Sequence, residues 1–487
     1  MAFEVLGESR SDAPCVLPAW ARAADILALT LLVLVVCNVL FGGVRFWLGP
    51  VRLSLTSLWL PGAALVCAVA IRHLRVPSPS LAARVMQAWR VRDGRMLAAV
   101  APVWLTTRLL VIAVGFIAVA AVGTPETGSP FRVSDAPLAN LAARWDSGWY
   151  LGIAVEGYQW NPRSGTDRQQ NVAFFPAFPL LMRVGGALLG ARAPDRGPAQ
   201  VRVSRAQRAA ERLAGRTLLA GWLLALAASF AALCALYRWA AIMVGAAAAR
   251  RAAVLLSVYP FAFFFSTAYT ESFFLLGSIL AFTAVGQGRP LAAGGWGLFV
   301  GLLRPNGFLL AIPLAVLAAR GRSARLWAAA AAPGVGMLLY AGYVWWLTGS
   351  PFTWARAHAA WGRTPLTWAG AVLGPIETLR AEGIVGYVYA APIDVLNGAA
   401  FVLAVALLPV VWRRLGPAPT LFVLVNIVPP LVAGGLMSMG RITATLFPLF
   451  VALALVVPAR HLAAISAGMA LVQGLAAALF FTWRPLV

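Results

Sequence analysis

The chain alternates long apolar runs with short polar segments, and the apolar runs make up most of its length. A helix needs about 20 apolar residues to cross the hydrocarbon layer of a membrane. The longest runs have room for two short or broken helices each. The pattern predicts an all-α polytopic membrane protein with roughly 11–14 transmembrane helices. The runs lie at residues 24–47, 55–72, 97–122, 173–191, 217–249, 252–286, 291–319, 325–348, 396–412, 418–436, 442–458 and 461–482.

The polar segments differ in charge, and the difference predicts an orientation. Short loops rich in arginine stay in the cytoplasm. Such clusters lie at residues 72–95, 192–216, 320–325 and 413–414. The 192–216 segment is rich in helix-forming residues and could lie along the inner membrane surface. By alternation, two long loops at residues 123–172 and 349–395 face outward, and the first of them balances its arginines with acids. We expect a multi-pass protein of the cell (plasma) membrane with its active site on the extracytoplasmic side.

Composition supports a lipid-embedded chain. Of 487 residues, 61% are hydrophobic and 11% are charged. A soluble protein could not bury that much apolar surface. The formal net charge of +23 comes from arginine alone, without any lysine, which indicates a GC-rich genome. Because the arginines lie in short loops between apolar runs, the charge does not predict nucleic-acid binding.

The residue types that commonly bind metals are scattered along the chain. They show neither the close spacing of a zinc site nor that of a disulfide framework. The sequence therefore predicts no cofactor and does not imply a metal. The cysteines are Cys15, Cys37, Cys67 and Cys234, and the histidines are His73, His358 and His461.

The segment Arg-Trp-Asp-Ser-Gly-Trp-Tyr at residues 144–150 places one carboxylate among aromatic side chains in the first outer loop. Asp146 lies near the start of a predicted helix, where the positive helix end favours an ionised acid. An ionised carboxylate can take a hydroxyl proton while aromatic rings stack on a sugar. Asp146 is the candidate catalytic base; the alternative is an aromatic belt in which Asp146 only caps the helix. The candidate acceptor- or sugar-binding residues here are Arg144, Trp145, Trp149 and Tyr150.

A second acid, Glu271, lies between two apolar runs in the segment 259–272. A carboxylate in lipid costs about 3 kcal/mol or more unless it is paired or hydrated. The neighbouring Ser and Thr residues predict a helix break at a water-filled cavity. The alternative is a buried acid that pairs with Arg304 or Arg441 and fixes helix packing. The two interpretations are compatible.

Two of the arginines away from the basic clusters, Arg304 and Arg441, are candidates for binding phosphate. Arg304 begins a polar break within an apolar run, and Arg441 is expected at the outer surface. The planar guanidinium binds phosphate through several donors, although Arg441 could also extend to ordinary lipid headgroups. The candidate donor-phosphate or lipid-binding residues are Arg441, Arg304, Glu271 and Tyr269.

The second outer loop contains a further candidate, His358, within the segment 350–363. Trp354, His358 and Trp361 are spaced to share one helix face. His358 is a candidate acceptor- or sugar-binding residue, and the alternative is a histidine that only forms structural hydrogen bonds.

Several motifs are missing from the chain. It contains no Walker A loop, no Rossmann fingerprint, no HExxH and no nucleophile elbow. An outward-facing active site would therefore need an activated donor that already lies in the membrane. Lipid-phosphate sugars have that property.

Taken in order, these motifs resemble those of the PIG-V family of mannosyltransferases, over roughly residues 144–450. The matching segments are RWDxxWYxxIAxxGY at 144–158, AFFPxFPL at 173–180, FFSxxYTES at 264–272, RPNG at 304–307, and SMGR followed by LFPLF at 438–450.

The resemblance implies a GT-C-type glycosyltransferase fold and a polyprenyl-phosphate-mannose donor. It implies that Asp146 is the general base of an inverting transfer to an extracytoplasmic glycolipid, lipoglycan or protein acceptor. The paired-acid motif that is frequent in GT-C enzymes is reduced in this sequence to Asp146 alone. Membrane lipids, the lipid-linked donor and a glycan or protein acceptor are the expected partners.

We divide the chain into an N-terminal transmembrane extension (residues 1–95), a catalytic core (96–458) and a C-terminal transmembrane helix (459–487).

Two other functions remain open from the residues alone. A transporter or flippase for lipid-linked sugars would also need intramembrane acids and arginines, although no inverted repeat is visible. The second alternative is a chain that resembles the family but has lost catalysis and serves as a membrane partner of another protein.

Overall fold

The computed structural model describes residues 18–41, 44–48, 51–55, 59–76, 80, 94–125, 133, 140–191, 202–321, 323–363 and 366–484. The chain divides into two compact units, residues 1–93 and residues 94–487. The prediction of an all-α polytopic membrane protein is confirmed. Every candidate site residue lies in the second unit.

The first unit is a helical pair with a β-hairpin between the helices. Helices α1 (Ala19–Phe41) and α2 (Trp59–Arg75) pack together, and strands β1 (Val44–Leu48) and β2 (Val51–Leu55) form an antiparallel pair. The hairpin was not predicted, because its residues lie within or beside long apolar runs.

Arg72 of the first unit does not behave as a surface charge of the predicted basic cluster. Its Nε donates to Asp25 Oδ1 at 2.8 Å, and both side chains are buried. Residues 81–93 of that cluster lie outside the described residues.

The second unit contains sixteen α-helices within the described residues. They are α3 (Gly94–Ala121), α4 (Asp146–Glu156), α5 (Ala177–Leu188), α6 (Arg202–Val244), α7 (Ala246–Val258), α8 (Glu271–Gly286), α9 (Pro290–Gly301), α10 (Ala311–Gly321), α11 (Ala324–Thr348), α12 (Thr353–Ala357), α13 (Trp368–Ala390), α14 (Pro392–Leu415), α15 (Pro417–Gly434), α16 (Met439–Ala444), α17 (Phe447–Val456) and α18 (Leu462–Phe481).

Fewer helices are long enough to cross a membrane than the apolar runs suggested. Among the described residues, six helices have the length and hydropathy of a span, or up to seven if one bent pair counts as a single span. Several further apolar helices have only 10–17 residues. The expected 11–14 spans exceed this number because hydropathy cannot distinguish a continuous helix from a broken one. The six are Gly94–Ala121, Glu211–Val244, Ala324–Thr348, Asp394–Leu415, Pro417–Gly434 and Ala459–Phe481.

The helix break predicted before Glu271 is present. Helix α7 is followed by a short 3-10 helix, Pro260–Ser266, that is bent by 80° from it, and α8 then begins at Glu271. Arg108 of α3 stabilises the bend by donating to Ser257 O at 2.8 Å and Ser266 Oγ at 3.0 Å. The break therefore places the first turn of α8 inside the protein.

The arginine-rich segment 192–216 does not form a separate surface helix in its described part. From residue 202 onward it is the first part of α6, which continues without a break to Val244. The apolar part of α6 therefore begins directly after its basic part, and residues 192–201 lie outside the described residues.

The two predicted outer loops meet, and the second one is largely helical. Residues 349–395 contain α12, α13 and a 3-10 helix, His358–Trp361. Val172 of the first loop, together with the adjacent Ala173, packs against Ala357 of the second. This contact joins the segment that contains Asp146 to the segment that contains His358.

Small residues allow α9 and α11 to approach closely. A side-chain carbon on Gly301 would lie 2.1 Å from the carbonyl oxygen of Pro333, and one on Gly297 would lie 3.0 Å from the Pro333 ring. In membranes, close packing of this kind is a principal source of helix association. It fixes the end of α9, after which Arg304 follows.

Candidate active site

Four charged side chains that are far apart in sequence meet at one point in the second unit. Asp146 is the first residue of α4, Glu271 is the first of α8, and Arg441 lies in the short helix α16. Arg304 precedes the 3-10 helix Pro305–Leu310. They form a chain of ion pairs in the order Asp146, Arg441, Glu271 and Arg304.

Arg441 contacts both acids of the cluster. Its Nη1 donates to Asp146 Oδ2 at 2.5 Å, and its Nε donates to Glu271 Oε1. Arg304 Nη1 lies 3.1 Å from the same Glu271 oxygen. The Glu271 side chain is fully buried, whereas the Asp146 side chain keeps 24% of its surface exposed. The expected pairing of Glu271 with Arg304 or Arg441 is therefore found with both arginines.

Asp146 is positioned through its own backbone. Its N–H donates to Tyr269 Oη at 3.0 Å, and the Tyr269 hydroxyl donates to the carbonyl of Arg144 at 3.2 Å. The carboxylate lies in the first turn of α4, where the helix dipole stabilises negative charge. Among the described residues, Oδ1 has no hydrogen-bond partner. One carboxylate oxygen is therefore fixed on Arg441, and the other is available.

Backbone strain occurs beside both members of this ion pair. Trp145, directly before Asp146, has φ of 50°, and Ser438, directly before α16, has φ of 62°. Positive φ in residues other than glycine costs about 1–3 kcal/mol and is concentrated at functional sites. The strain indicates that packing holds Asp146 and Arg441 in place against local preference.

Aromatic rings surround the arginines of the cluster. The Arg441 guanidinium carbon lies 4.7 Å from the Tyr269 ring centre and 5.2 Å from that of Phe264. Arg304 lies 5.6 Å from the Phe274 ring in the same way. Such cation–π contacts stabilise a charge where little water is present.

Further rings lie beside Asp146. Tyr150 packs edge-to-face on Phe174, Phe178 and Tyr269, with centre distances of 5.2 Å, 5.2 Å and 6.3 Å. Trp149 stacks on Phe174 at 5.8 Å and also contacts Trp361 of the second outer loop. Trp149 and Tyr150 therefore lie near the acid, as the sequence predicted.

Part of the chain that contains this site matches the model of a known protein family. Residues 118–317 match the family model described as mannosyltransferase (PIG-V). The matched segment is less than half of the chain, and it supports a PIG-V-like mannosyltransferase. The match confirms the resemblance for the motifs between residues 144 and 307 and supports an enzyme that transfers mannose. A search of curated proteins finds no match.

The PIG-V match contains only part of the ion-pair cluster. Asp146, Glu271 and Arg304 fall within residues 118–317, whereas Arg441 lies beyond them. The structure completes the cluster by bringing α16 against the 3-10 helix Pro260–Ser266.

Two candidate sugar-binding residues, Arg144 and Trp145, make other contacts. The Arg144 guanidinium is buried and donates to the carbonyl groups of Phe481, at 2.7 Å, and Asn140. Trp145 Nε1 donates to the carbonyl of Phe480 at 3.2 Å. Both side chains therefore connect the Asp146 segment to the end of α18 by hydrogen bonds. This geometry favours a role in positioning Asp146 over direct contact with a sugar.

His358 lies between two tryptophans, as its spacing predicted. Its ring centre is 6.4 Å from Trp354 and 6.3 Å from Trp361, and its Nδ1 forms a hydrogen bond with the Trp354 carbonyl at 2.8 Å. Burial lowers the pKa of His358, and the positive charge of Arg363 lowers it further, whereas Asp146 raises it. We therefore expect a neutral imidazole at pH 7.

Arg363 is a functional candidate that the sequence did not single out. Burial lowers its pKa to about 10, and the positive charges of Arg441 and Arg304 act in the same direction, while Asp146 opposes them. Arg363 therefore belongs electrostatically to the cluster. In the sequence, only its position two residues after Trp361 could have marked Arg363 as a site residue. Otherwise Arg363 resembles any arginine of an outer loop.

The cluster also contains no room for a side chain at Gly440. A methyl group there would lie 2.1 Å from ring carbons of buried Phe261, and the Gly440 N–H donates to Asn397 Oδ1 at 2.7 Å. We expect Gly440→Ala to lower the stability by about 1–3 kcal/mol through overpacking. Thermal unfolding of the purified protein in detergent measures the effect.

Gly468→Ala is the matched control, since Gly468 lies in α18 and has no neighbour within 4 Å of the added carbon. It should unfold at or slightly above the wild-type temperature. A Gly440→Ala protein that unfolds like the control would contradict the close contact with Phe261.

Proposed function

We propose that the chain is an inverting GT-C-type mannosyltransferase that uses a polyprenyl-phosphate-mannose donor. The observation that carries the proposal is the unequal environment of the two acids. Glu271 is fully buried between two arginines, whereas Asp146 keeps one carboxylate oxygen available and is partly exposed. A buried, neutralised acid suits structure, and an accessible, oriented acid suits proton transfer.

The proposed step needs one base and one stabilised leaving group. Asp146 accepts the proton of an acceptor hydroxyl while that oxygen attacks the anomeric carbon of the donor. The bond between the anomeric carbon and the phosphate oxygen breaks, and its electron pair stays on the phosphate. Attack from the face opposite the phosphate converts a β-linked donor sugar into an α-mannoside.

Arginines of the cluster would stabilise the leaving phosphate. Arg441 and Arg304 are held by Glu271 and by aromatic rings, so their charges are fixed before substrate binds. Preorganised charge of this kind lowers a barrier because it needs no rearrangement during the reaction. Tyr269 would act by orienting Asp146.

The sugar would bind against the aromatic side of the site. Trp149, Tyr150 and His358 lie near Asp146 from two different loops, and their rings offer apolar faces and a hydrogen-bonding edge. Arg144 and Trp145 would support the site from the side of α18.

The cellular setting is also proposed. The basic segments favour an active site on the extracytoplasmic side of the plasma membrane. The acceptor would be a glycolipid, a lipoglycan or a protein there. The lipid-linked donor is a substrate, and the proposed chemistry uses no further cofactor and no metal.

A transfer assay with defined donors tests the proposal. Purified protein in liposomes is incubated with a panel of labelled polyprenyl-phosphate sugars and candidate acceptors. We expect label to leave the mannose donor and to appear in a product that α-mannosidase cleaves. Label that remains on the lipid with every acceptor, but crosses the liposome membrane, would overturn transfer and favour a transporter of lipid-linked sugars.

A further inference from the structure

Arg363 lies over the end of α15 and interacts electrostatically with the ion-pair cluster. A side-chain carbon on Gly434 would lie 3.2 Å from Arg363 Cγ and 3.5 Å from its Nη1. The segment is held there by a backbone hydrogen bond from Leu366 to Val432 at 2.8 Å. Gly362, in the left-handed region with φ of 78°, turns the chain directly before Arg363. The absence of a side chain at Gly434 therefore makes the room that the guanidinium occupies.

The acids of the site are already engaged by other arginines. Asp146 pairs with Arg441, and Glu271 pairs with both Arg441 and Arg304. Among the described residues, no carboxylate lies within ion-pair distance of Arg363. Three guanidinium groups thus share two carboxylates, and Arg363 is the one without an acid of its own.

The resulting excess of one positive charge suits a phosphodiester, which carries one negative charge. We propose that Arg363 binds the phosphate of the lipid-linked sugar donor and remains with it as it becomes the leaving group. This inference rests on the proposed function, and it identifies a phosphate ligand for an arginine that pairs with none of the described carboxylates.

Proton transfer keeps the charges matched through the reaction. When Asp146 takes the acceptor proton it becomes neutral, so the excess positive charge of the site rises from one to two. The bond to the anomeric carbon breaks at the same time, and the released lipid phosphate becomes a monoester with a charge close to −2 at neutral pH. The cluster is therefore electrostatically complementary to donor and to product, with the stronger attraction for the product.

Replacement of Arg363 should affect the more highly charged species most. We expect Arg363→Gln to lower kcat/KM for the donor by about 10- to 100-fold, because it removes one charged group from the leaving phosphate. It should weaken inhibition by polyprenyl phosphate by a larger factor than it raises KM for the donor. Arg363→Lys should recover most of the loss, because it restores the charge.

Two further variants make the test specific. Gly434→Ala should reproduce part of the Arg363→Gln defect, since its methyl group displaces the guanidinium without changing any charge. Arg356→Gln is the control: Arg356 lies in the same loop, is exposed, and bonds to Ser350 Oγ. It should leave both donor use and product inhibition unchanged.

The outcomes separate this inference from the proposed function. Binding of polyprenyl phosphate to the purified protein, measured by calorimetry, does not depend on turnover. If wild-type protein binds the lipid phosphate, equal affinity in Arg363→Gln overturns the role of Arg363 even when transfer fails. Transfer of mannose by wild-type protein together with unchanged product inhibition in Arg363→Gln rejects the inference alone. A wild-type protein that neither transfers mannose nor binds polyprenyl phosphate overturns both.

Discussion

Asp146→Asn is expected to reduce mannose transfer by about 10²–10⁴-fold, the contribution typical of a general base. Asparagine has nearly the same shape, and its amide oxygen can still accept the hydrogen bond that Arg441 donates to Asp146 Oδ2. The amide cannot take the proton of the acceptor hydroxyl. The fold should therefore survive while the reaction slows. Initial rates with labelled donor, compared at equal protein concentration, measure the loss.

Asp167→Asn is the matched control for this substitution. Asp167 lies in the same outer loop and is exposed. It should transfer mannose at the wild-type rate and unfold at the wild-type temperature. Wild-type turnover in Asp146→Asn would remove Asp146 as the base, and loss of folding in that variant would instead assign it a structural role.

Glu271→Leu is expected to lower the stability by about 3–5 kcal/mol, the usual cost of removing one partner from a buried ion pair. Glu271 is fully buried and contacts Arg304 and Arg441. Arg441 would keep Asp146, but Arg304 would have no acid among the described residues. Unfolding of the purified protein in detergent, induced by heat or by denaturant, measures the change in stability.

A double replacement distinguishes charge from shape in this prediction. Glu271→Leu combined with Arg304→Leu removes the isolated charge and should be less destabilised than the sum of the two single variants. Glu377→Leu replaces an exposed acid of α13 and controls for the substitution itself. Additive losses in the double variant would show that Glu271 and Arg304 are not energetically coupled.

Much of the site could be predicted because charge is rare in this chain. An acid such as Glu271 inside an apolar run must find a partner, and Arg304 and Arg441, in polar breaks of other apolar segments, were the predicted cations. The position of Asp146 at a helix start was also predictable from local pattern. What local pattern could not give is the contact between Asp146 and Arg441, which are separated by 295 positions.

Other features were hidden for physical reasons. Arg144 and Trp145 are as polar and aromatic as sugar-binding residues, and only their contacts with Phe480 and Phe481 assign them elsewhere. Arg363 resembles a solvent-exposed loop arginine until the loop folds over Gly434. Helix number was overestimated because a bend such as the one after Val258 changes direction without changing hydropathy.

The fastening of the Asp146 segment to α18 has a consequence for biosynthesis. Arg144 and Phe481 are separated by 337 positions, so the segment leaves the ribosome long before its anchor is made. Nascent chains that lack α18 would contain Asp146 but not the two carbonyl groups that Arg144 and Trp145 bind. We therefore expect activity to begin only after α18 has entered the membrane, so that incomplete chains are inactive.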